Sequence, residues 1–233
     1  MLPLLPQPAS PNPYKVRERR MIYDSPWIRL REDRFDHRRG TPGRYAVCGF
    51  RRTACGVLAL DGQDRVVLVG QWRYPLEQYS WELPEGGGEA DESPFEAIRR
   101  ELGEEAGLQA QVWEPLLYFN PSNATTDEET FLFLATGLSV AEGHEPDEHE
   151  ELMLHHEPFQ DCVQRVFSGE IRDGLTVAAL LALQARRAGA ATPLDPALAE
   201  RFFQRPAEHP SPGRARWDDM DPEAGSRKAG ARA

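Results

Sequence analysis

Short apolar runs bounded by turn residues dominate the first half of the chain, and helical periodicity takes over at separate points further along. Trp27–Phe35 and Arg44–Phe50 flank Arg38-Arg39-Gly40-Thr41-Pro42-Gly43 and predict a hairpin. Val57–Leu60 and Val66–Arg73 predict a strand pair across Asp61-Gly62-Gln63-Asp64. Leu116–Phe119, Thr130–Thr136 and Glu151–His155 read as further strands. Phe95, Ile98, Leu102 and Ala106 fall at i, i+3, i+7 and i+11, a stripe for one face of a helix. Ser93, Pro94 and Glu96 supply the N-cap, first-turn proline and capping box of that helix, and Gly107 its stop. Pro158–Phe167 and Thr176–Arg187 predict two more helices, and Leu198–Phe203 a short one. The pattern divides the chain into a disordered start (1–13), a β region (14–54), a mixed α/β domain (55–187) and a flexible tail (188–233).

The polar residues of the Phe95–Ala106 helix change the picture. Glu101 and Glu105 stand one turn apart and repel by roughly 0.2–0.5 kcal/mol. With Glu104 they crowd the C-terminal half of the helix, where its dipole disfavours anions by roughly 0.3–1 kcal/mol. Arg100 offsets part of this through Glu104 but not the whole cluster. A solvated acidic face is the ordinary reading of such residues. A divalent cation would turn the same repulsion into a binding site, and Mg²⁺ prefers carboxylate oxygens.

The full spacing from Gly86 to Leu108 is G-x5-E-x7-R-E-L-x-E-E-x-G-L. Its seven demanding positions would coincide by chance at about one starting point in 10⁸. The stretch resembles the Nudix box, the signature of hydrolases acting on nucleoside diphosphates linked to another group. The resemblance implies an α/β class fold: an α/β/α sandwich with a mixed sheet, here preceded by a small N-terminal antiparallel β-hairpin sheet. It implies Glu101 and Glu105 as metal ligands, with Glu104 a ligand or an immediate partner of one. Arg100 would orient these glutamates, Glu92 would brace the loop, and Gly86 and Gly107 would shape its ends. The backbone carbonyl at Glu85 would join the metal shell, leaving its side chain as a charge without an assigned place. The implied cofactor is Mg²⁺, with Mn²⁺ as the alternative, two or three ions per site.

Segments around the box resemble the branch that hydrolyses ADP-ribose and other nucleoside diphosphate sugars. Gln71-Trp72-Arg73-Tyr74-Pro75 is similar to its Q-[FWY]-R-x-P motif, which implies Arg73 as a substrate contact. Glu82 then lines the pocket or holds Arg52, itself a candidate substrate contact. Trp27 matches an aromatic that stacks on the nucleobase, and reads equally well as a buried hairpin residue. Glu128, in the 120–129 segment, would touch a ribose or sugar hydroxyl. In the acidic run 144–151, composition alone favours a solvated loop. The resemblance implies Glu148 as general base and Glu150 as a further metal ligand. The branch forms homodimers through its N-terminal strands. Other Nudix substrates (dinucleoside polyphosphates, coenzyme A, NADH, capped RNA) are rivals, as is a regulatory module that binds a nucleotide sugar without cleaving it.

Composition sets outer bounds. The formal charge of −11 argues against nonspecific nucleic-acid binding, which rests on cationic contacts to phosphates. Cys48, Cys55 and Cys162 lie at no metal-ligand spacing and read as reduced, buried thiols. No apolar run approaches a membrane span, and the N-terminus does not read as a signal peptide, so a cytoplasmic protein with no membrane partner is expected. The six histidines show no zinc spacing.

Overall fold

The computed structural model describes residues 5–6, 12–89, 91–141, 151–205 and 217. Two compact units emerge. One comprises the chain up to Arg51, the 124–127 loop and Trp217; the other comprises Arg52–Asn123 with the described residues from Glu128 to Arg205.

The strand unit is a sheet of β1 (Tyr14–Asp24), β2 (Ile28–His37) and β3 (Pro42–Phe50), all antiparallel in that order. The expected hairpin is β2–β3, with Phe35 opposite Gly43 and Ile28 opposite Phe50. β1 was not anticipated. The 124–127 loop extends the β3 edge, where the Cys48 amide donates to the Thr125 carbonyl (2.9 Å).

The second unit carries two sheets. β7 (Glu85–Gly88), β4 (Thr53–Ala59), β9 (Thr130–Val140) and β8 (Leu108–Phe119) form one, with β4 and β9 parallel. β10 (Met153–Pro158), β5 (Arg65–Arg73) and β6 (Gln78–Glu82) form the other. β4 and β9 are buried on both faces, so successive residues feed different cores. Cys55, Val57, Phe131 and Phe133 pack with Ile98 and Leu102 of α1 (Pro94–Ala106). Leu58, Leu132 and Leu134 pack with residues of α2 (Phe159–Ser168) and α3 (Gly174–Arg187). Helices on both faces of a mixed sheet make the expected α/β/α sandwich.

Two expectations need correction. β4 and β5 are not a hairpin: they share a single bridge, Leu60 to Val66, and then part into different sheets. Each is buried and finds its hydrogen bonds on other strands, which a two-strand ribbon could not supply. The Asp61–Asp64 turn nevertheless forms, with the Asp61 carboxylate accepting from the Gln63 and Arg65 amides (2.9 and 3.0 Å). The second concerns residues 188–205, read as part of a tail. The short helix expected over Leu198–Phe203 is present, as α4 (Pro196–Glu200) and a 3₁₀ turn, Arg201–Phe203; what departs from a tail is that Phe202 is fully buried against Phe131 and Phe133.

Candidate active site

The box forms as strand β7, a loop and helix α1. Ser93 Oγ accepts from the Glu96 amide (3.2 Å) and the Glu96 carboxylate accepts from the Ser93 amide (2.8 Å), closing the capping box. Gly107 ends the helix in the left-handed region at φ 63°, where a side chain would be strained. Ile98, Leu102 and Ala106 are buried as the stripe predicts, with Phe95 partly so. This packing turns the acidic face of α1 toward β7.

Arg100 is the hub of that face. Its Nε and Nη2 donate to the two oxygens of Glu92 (3.0 Å each), and its Nη1 donates to Glu101 (2.9 Å) and Glu104 (2.8 Å). Nη2 also reaches the Gly87 carbonyl (3.4 Å). The Glu92 carboxyl is held below its usual range, first by these Arg100 hydrogen bonds. Glu101 lies over Gly86 so closely that a Cβ there would sit 2.2 Å from its carboxyl carbon. Glu105, one turn on, accepts from the Glu85 amide (2.9 Å) and is buried. Thus Glu101 and Glu105 both turn onto the backbone of Glu85 and Gly86.

A second cluster adjoins it. Arg73, at the end of β5, donates to both oxygens of Glu82 through Nε (2.9 Å each) and to Glu85 through Nη2 (3.1 Å). Burial works against the Arg73 charge, but Glu82 and Glu85 outweigh it and keep the guanidinium protonated. Burial, then the charges of Asp173 and Glu82, push the Glu85 carboxyl well above the usual range. Its Oε2 is buried without a hydrogen-bond partner. Glu82 therefore holds Arg73 rather than Arg52; Arg52 pairs with Glu89 (2.5 Å) in the box loop. The β5–β6 register sets Arg73 opposite Gln78 and Val69 opposite Glu82, so Arg73 and Glu82 share one face of the sheet and meet along the strands rather than as a directly opposed pair.

Sequence reasoning missed Asp173 and Thr176. Asp173 caps α3 and accepts from both the Thr176 amide (2.7 Å) and hydroxyl (2.8 Å). The same hydroxyl accepts from the Leu83 amide (2.9 Å), fixing the turn that enters the box. The signal was present as D-x-x-T at a helix start, but the expected helix began at Thr176 and left its cap outside.

The remaining candidates are more scattered. Trp27 belongs to the strand unit and is largely exposed, which removes its reading as a buried hairpin residue. Glu128 accepts through its backbone carbonyl from the Asn120 side chain (2.7 Å). Glu148 and Glu150 lie outside the described residues. His155 and His156 pair with Glu157 (2.7 Å) and Asp61 (3.3 Å). Burial raises the Cys55 thiol strongly and pushes the Cys162 thiol up to about 12, so neither is a nucleophile.

Among the described residues no group of three or more His, Cys, Asp or Glu is arranged to hold a metal ion. Glu101 and Glu104 are drawn to Arg100, and Glu105 to the Glu85 amide. The donor chemistry does suit a hard cation: carboxylate oxygens beside a strand backbone that glycine leaves open, and an orphaned Glu85 oxygen in the adjoining cluster.

Residues 50–177, which contain all of this apparatus except Trp27, match the NUDIX domain family. The chain belongs to that family. As a NUDIX protein it is 34% identical over 143 residues to an ADP-ribose pyrophosphatase of Mycobacterium tuberculosis (strain ATCC 25618 / H37Rv), covering 60% of this chain and 69% of the relative. It is 35% identical over 136 residues to an ADP-ribose pyrophosphatase of Bacillus subtilis (strain 168), covering 58% and 74%. A solved structure titled as an ADP compounds hydrolase superposes with a TM-score of 0.66 at 19% identity, over 77% of this chain and 98% of that one. This last likeness bears on the NUDIX fold alone.

Proposed function

We propose that this NUDIX enzyme hydrolyses the diphosphate of ADP-ribose or another nucleoside diphosphate sugar, giving a nucleoside monophosphate and a sugar phosphate. The observation that carries the reading is the convergence of Glu101 and Glu105 on the Glu85–Gly86 backbone, with Arg73 held beside Glu85. The names of the relatives similar to this chain support the substrate class.

Glu101, Glu105 and the Glu85 carbonyl would hold Mg²⁺ (Mn²⁺ being the alternative), with Glu104 beside them and Glu150 added from the acidic run, two or three ions in all. When bound, the ions neutralise the diphosphate and lower the pKa of water. Arg100 keeps Glu101 and Glu104 oriented, and Glu92 keeps Arg100 in place. Glu148 would take the proton of the attacking water. Arg73 has one edge committed to Glu82 and Glu85; its remaining donors would steady the substrate's phosphates. Arg52, half exposed, would exchange Glu89 for the same charge. The exposed Trp27 would stack on the base, and Glu128 would meet a sugar hydroxyl.

Tyr14, Val16, Ile22, Tyr23 and Phe50 expose apolar surface on the strand unit, which supports a homodimer formed through it. The three free cysteines support a reducing, cytoplasmic setting. No helix among the described residues is long and apolar enough to cross a membrane.

The test is release of nucleoside monophosphate, with and without Mg²⁺, across ADP-ribose, GDP-mannose, UDP-glucose and diadenosine polyphosphates. Glu105→Gln keeps an oxygen for the Glu85 amide and so preserves the fold. Its turnover should fall by about 100-fold or more, because groups that merely support metal ligands already contribute 10–100-fold. Near-normal turnover in the folded variant would remove Glu105 from the metal site. Tight binding without hydrolysis across the panel would instead favour a regulatory module.

A further inference from the structure

We propose that Arg172 is a further substrate-binding residue, a second guanidinium for the diphosphate beside Arg73. Arg172 takes this role only if the site binds a diphosphate, as proposed above; it comes from outside the box and its flanking motif, in the short link between α2 and α3. What singles it out is its partner. Among the described residues, every other arginine of the NUDIX unit pairs with a carboxylate, except Arg99, which lies over the Phe95 ring. Arg172 is exposed and instead donates through Nη2 to the side-chain oxygen of Gln78, at 2.7 Å. In a chain of formal charge −11, acids are plentiful, and a guanidinium held by a neutral amide is exceptional.

The backbone at Arg172 is fixed on both sides. Ile171 is buried in the apolar cluster under α2 and α3, and its amide donates to the Arg165 carbonyl (3.1 Å). Asp173 caps α3 through the amide and hydroxyl of Thr176. Gln78 ties the head of Arg172 to the sheet, directly opposite Arg73 in the β5–β6 pair. Opposed residues of an antiparallel pair share a face, so Gln78 stands on the face from which Arg73 reaches Glu82 and Glu85. Asp173 lies near enough for its charge to act on both Arg73 and Glu85. Strand register and helix cap thus bring residues 172–173 to one place, the Arg73 cluster. The chemistry of that place calls for such a cation. Arg73 and Arg100 are already held by glutamates, and exchanging a carboxylate for a phosphate replaces one charged acceptor by another. Exchanging the Gln78 amide oxygen for a phosphate oxygen turns a neutral hydrogen bond into a charge-assisted one, roughly twice as strong. The guanidinium fork also matches two phosphate oxygens at once. Gln78 keeps that fork in place before substrate arrives, so less order is lost on binding.

The probe is methylenediphosphonate with Mg²⁺, titrated into the full-length chain by calorimetry. It carries the diphosphate charge without base or sugar and cannot be hydrolysed, so its binding is read separately from turnover. Arg172→Gln should weaken it about tenfold or more, the scale of a hydrogen bond to a charged group. Arg172→Lys keeps the charge but not the fork and should fall between the two. Gln78→Ala frees the guanidinium without removing it and should weaken binding by roughly threefold, the cost of ordering one long side chain. With ADP-ribose, Arg172→Gln should raise KM by the same factor as it weakens the diphosphonate and leave kcat within about twofold, the sign of a binding contact. That KM should also depend less on salt than the wild-type value does. Equal diphosphonate affinity in wild type and a folded Arg172→Gln overturns the proposal, as does a loss in Arg172→Lys as large as in Arg172→Gln. If Arg172→Gln does not fold, unchanged affinity in both Arg172→Lys and Gln78→Ala overturns it. Hydrolysis of ADP-ribose with KM unchanged in Arg172→Gln would sink the role of Arg172 alone. Diphosphonate binding that weakens in Arg172→Gln, in a chain that hydrolyses no nucleotide, would sink only the enzymatic reading.

Discussion

Glu85 buries a carboxylate with more neighbours of its own sign than of the other. Burial acts first to raise its pKa, then Asp173 and Glu82, and Arg73 opposes them only in part. A carboxyl raised in this way binds a proton more readily folded than unfolded. Its penalty is thus absent below about pH 4.3, the unfolded value, and grows as pH rises toward the folded value. Glu85→Gln keeps the shape and discards the charge. In metal-free buffer at pH 7 it should raise the melting temperature by a few degrees, the size expected for about 1 kcal/mol in a chain of this length. Calorimetry in EDTA from pH 7 to pH 4 should show the gain shrinking on acidification; a gain that grows would refute the account. Residue pairings differ in how far the sequence reveals them. Arg100 with Glu104, and Glu92 as a brace, follow from helical spacing and the box pattern. Arg73 with Glu82 depends on the register of β5 on β6, and no local pattern in the sequence specifies that register.

Elements show the same divide between local and distant causes. Helix α1 is legible to within a residue because its cap, proline and terminal glycine are all local signals. β7 is not, because Glu85-Gly86-Gly87-Gly88 has the composition of a loop and becomes a strand only by pairing with Thr53–Gly56. β1 was missed because its apolar residues face outward rather than toward a core. The turn between β6 and β7 is held at a distance through Thr176, whose hydroxyl links the Leu83 amide to Asp173. Thr176→Val would leave a buried amide without an acceptor, costing roughly 1–3 kcal/mol. Thr176→Ser keeps the hydroxyl and should retain most of that bond's contribution. Urea denaturation gives the comparison, with hydrolysis of ADP-ribose as a second readout, since displacement of Leu83 should lower turnover in the valine variant alone. Equal behaviour of the two variants would mean that the relay does not hold the box in place.

For the whole molecule, the two units rest on different physics. The strand unit buries Arg29, Arg31, Asp33 and one indole, so charge pairing and stacking take the place of an apolar core among its described residues. The NUDIX unit buries two apolar clusters, one on each face of the β7-β4-β9-β8 sheet. Phe202 shows how far along the chain that second unit extends. It lies in a Pro-, Ala- and Arg-rich stretch where the short helix at Leu198–Phe203 is legible, but no local pattern shows that its Phe202 packs against a distant sheet. Its ring meets those of Phe131 and Phe133 edge-on, at 5.0 Å each. Beside it Arg201 pairs with Glu129 at 2.6 Å and lies over Tyr118. Phe131 and Phe133 sit on β9, next to β4, and their face of the sheet also carries α1 with its glutamates. Phe202→Ala should therefore behave as a core deletion and cost about 3–5 kcal/mol, with Phe202→Leu recovering much of it. Chemical denaturation of the two variants measures this directly. A loss within about 0.5 kcal/mol, the scale of a surface change, would mean that residues 188–205 are appended to the NUDIX core rather than built into it.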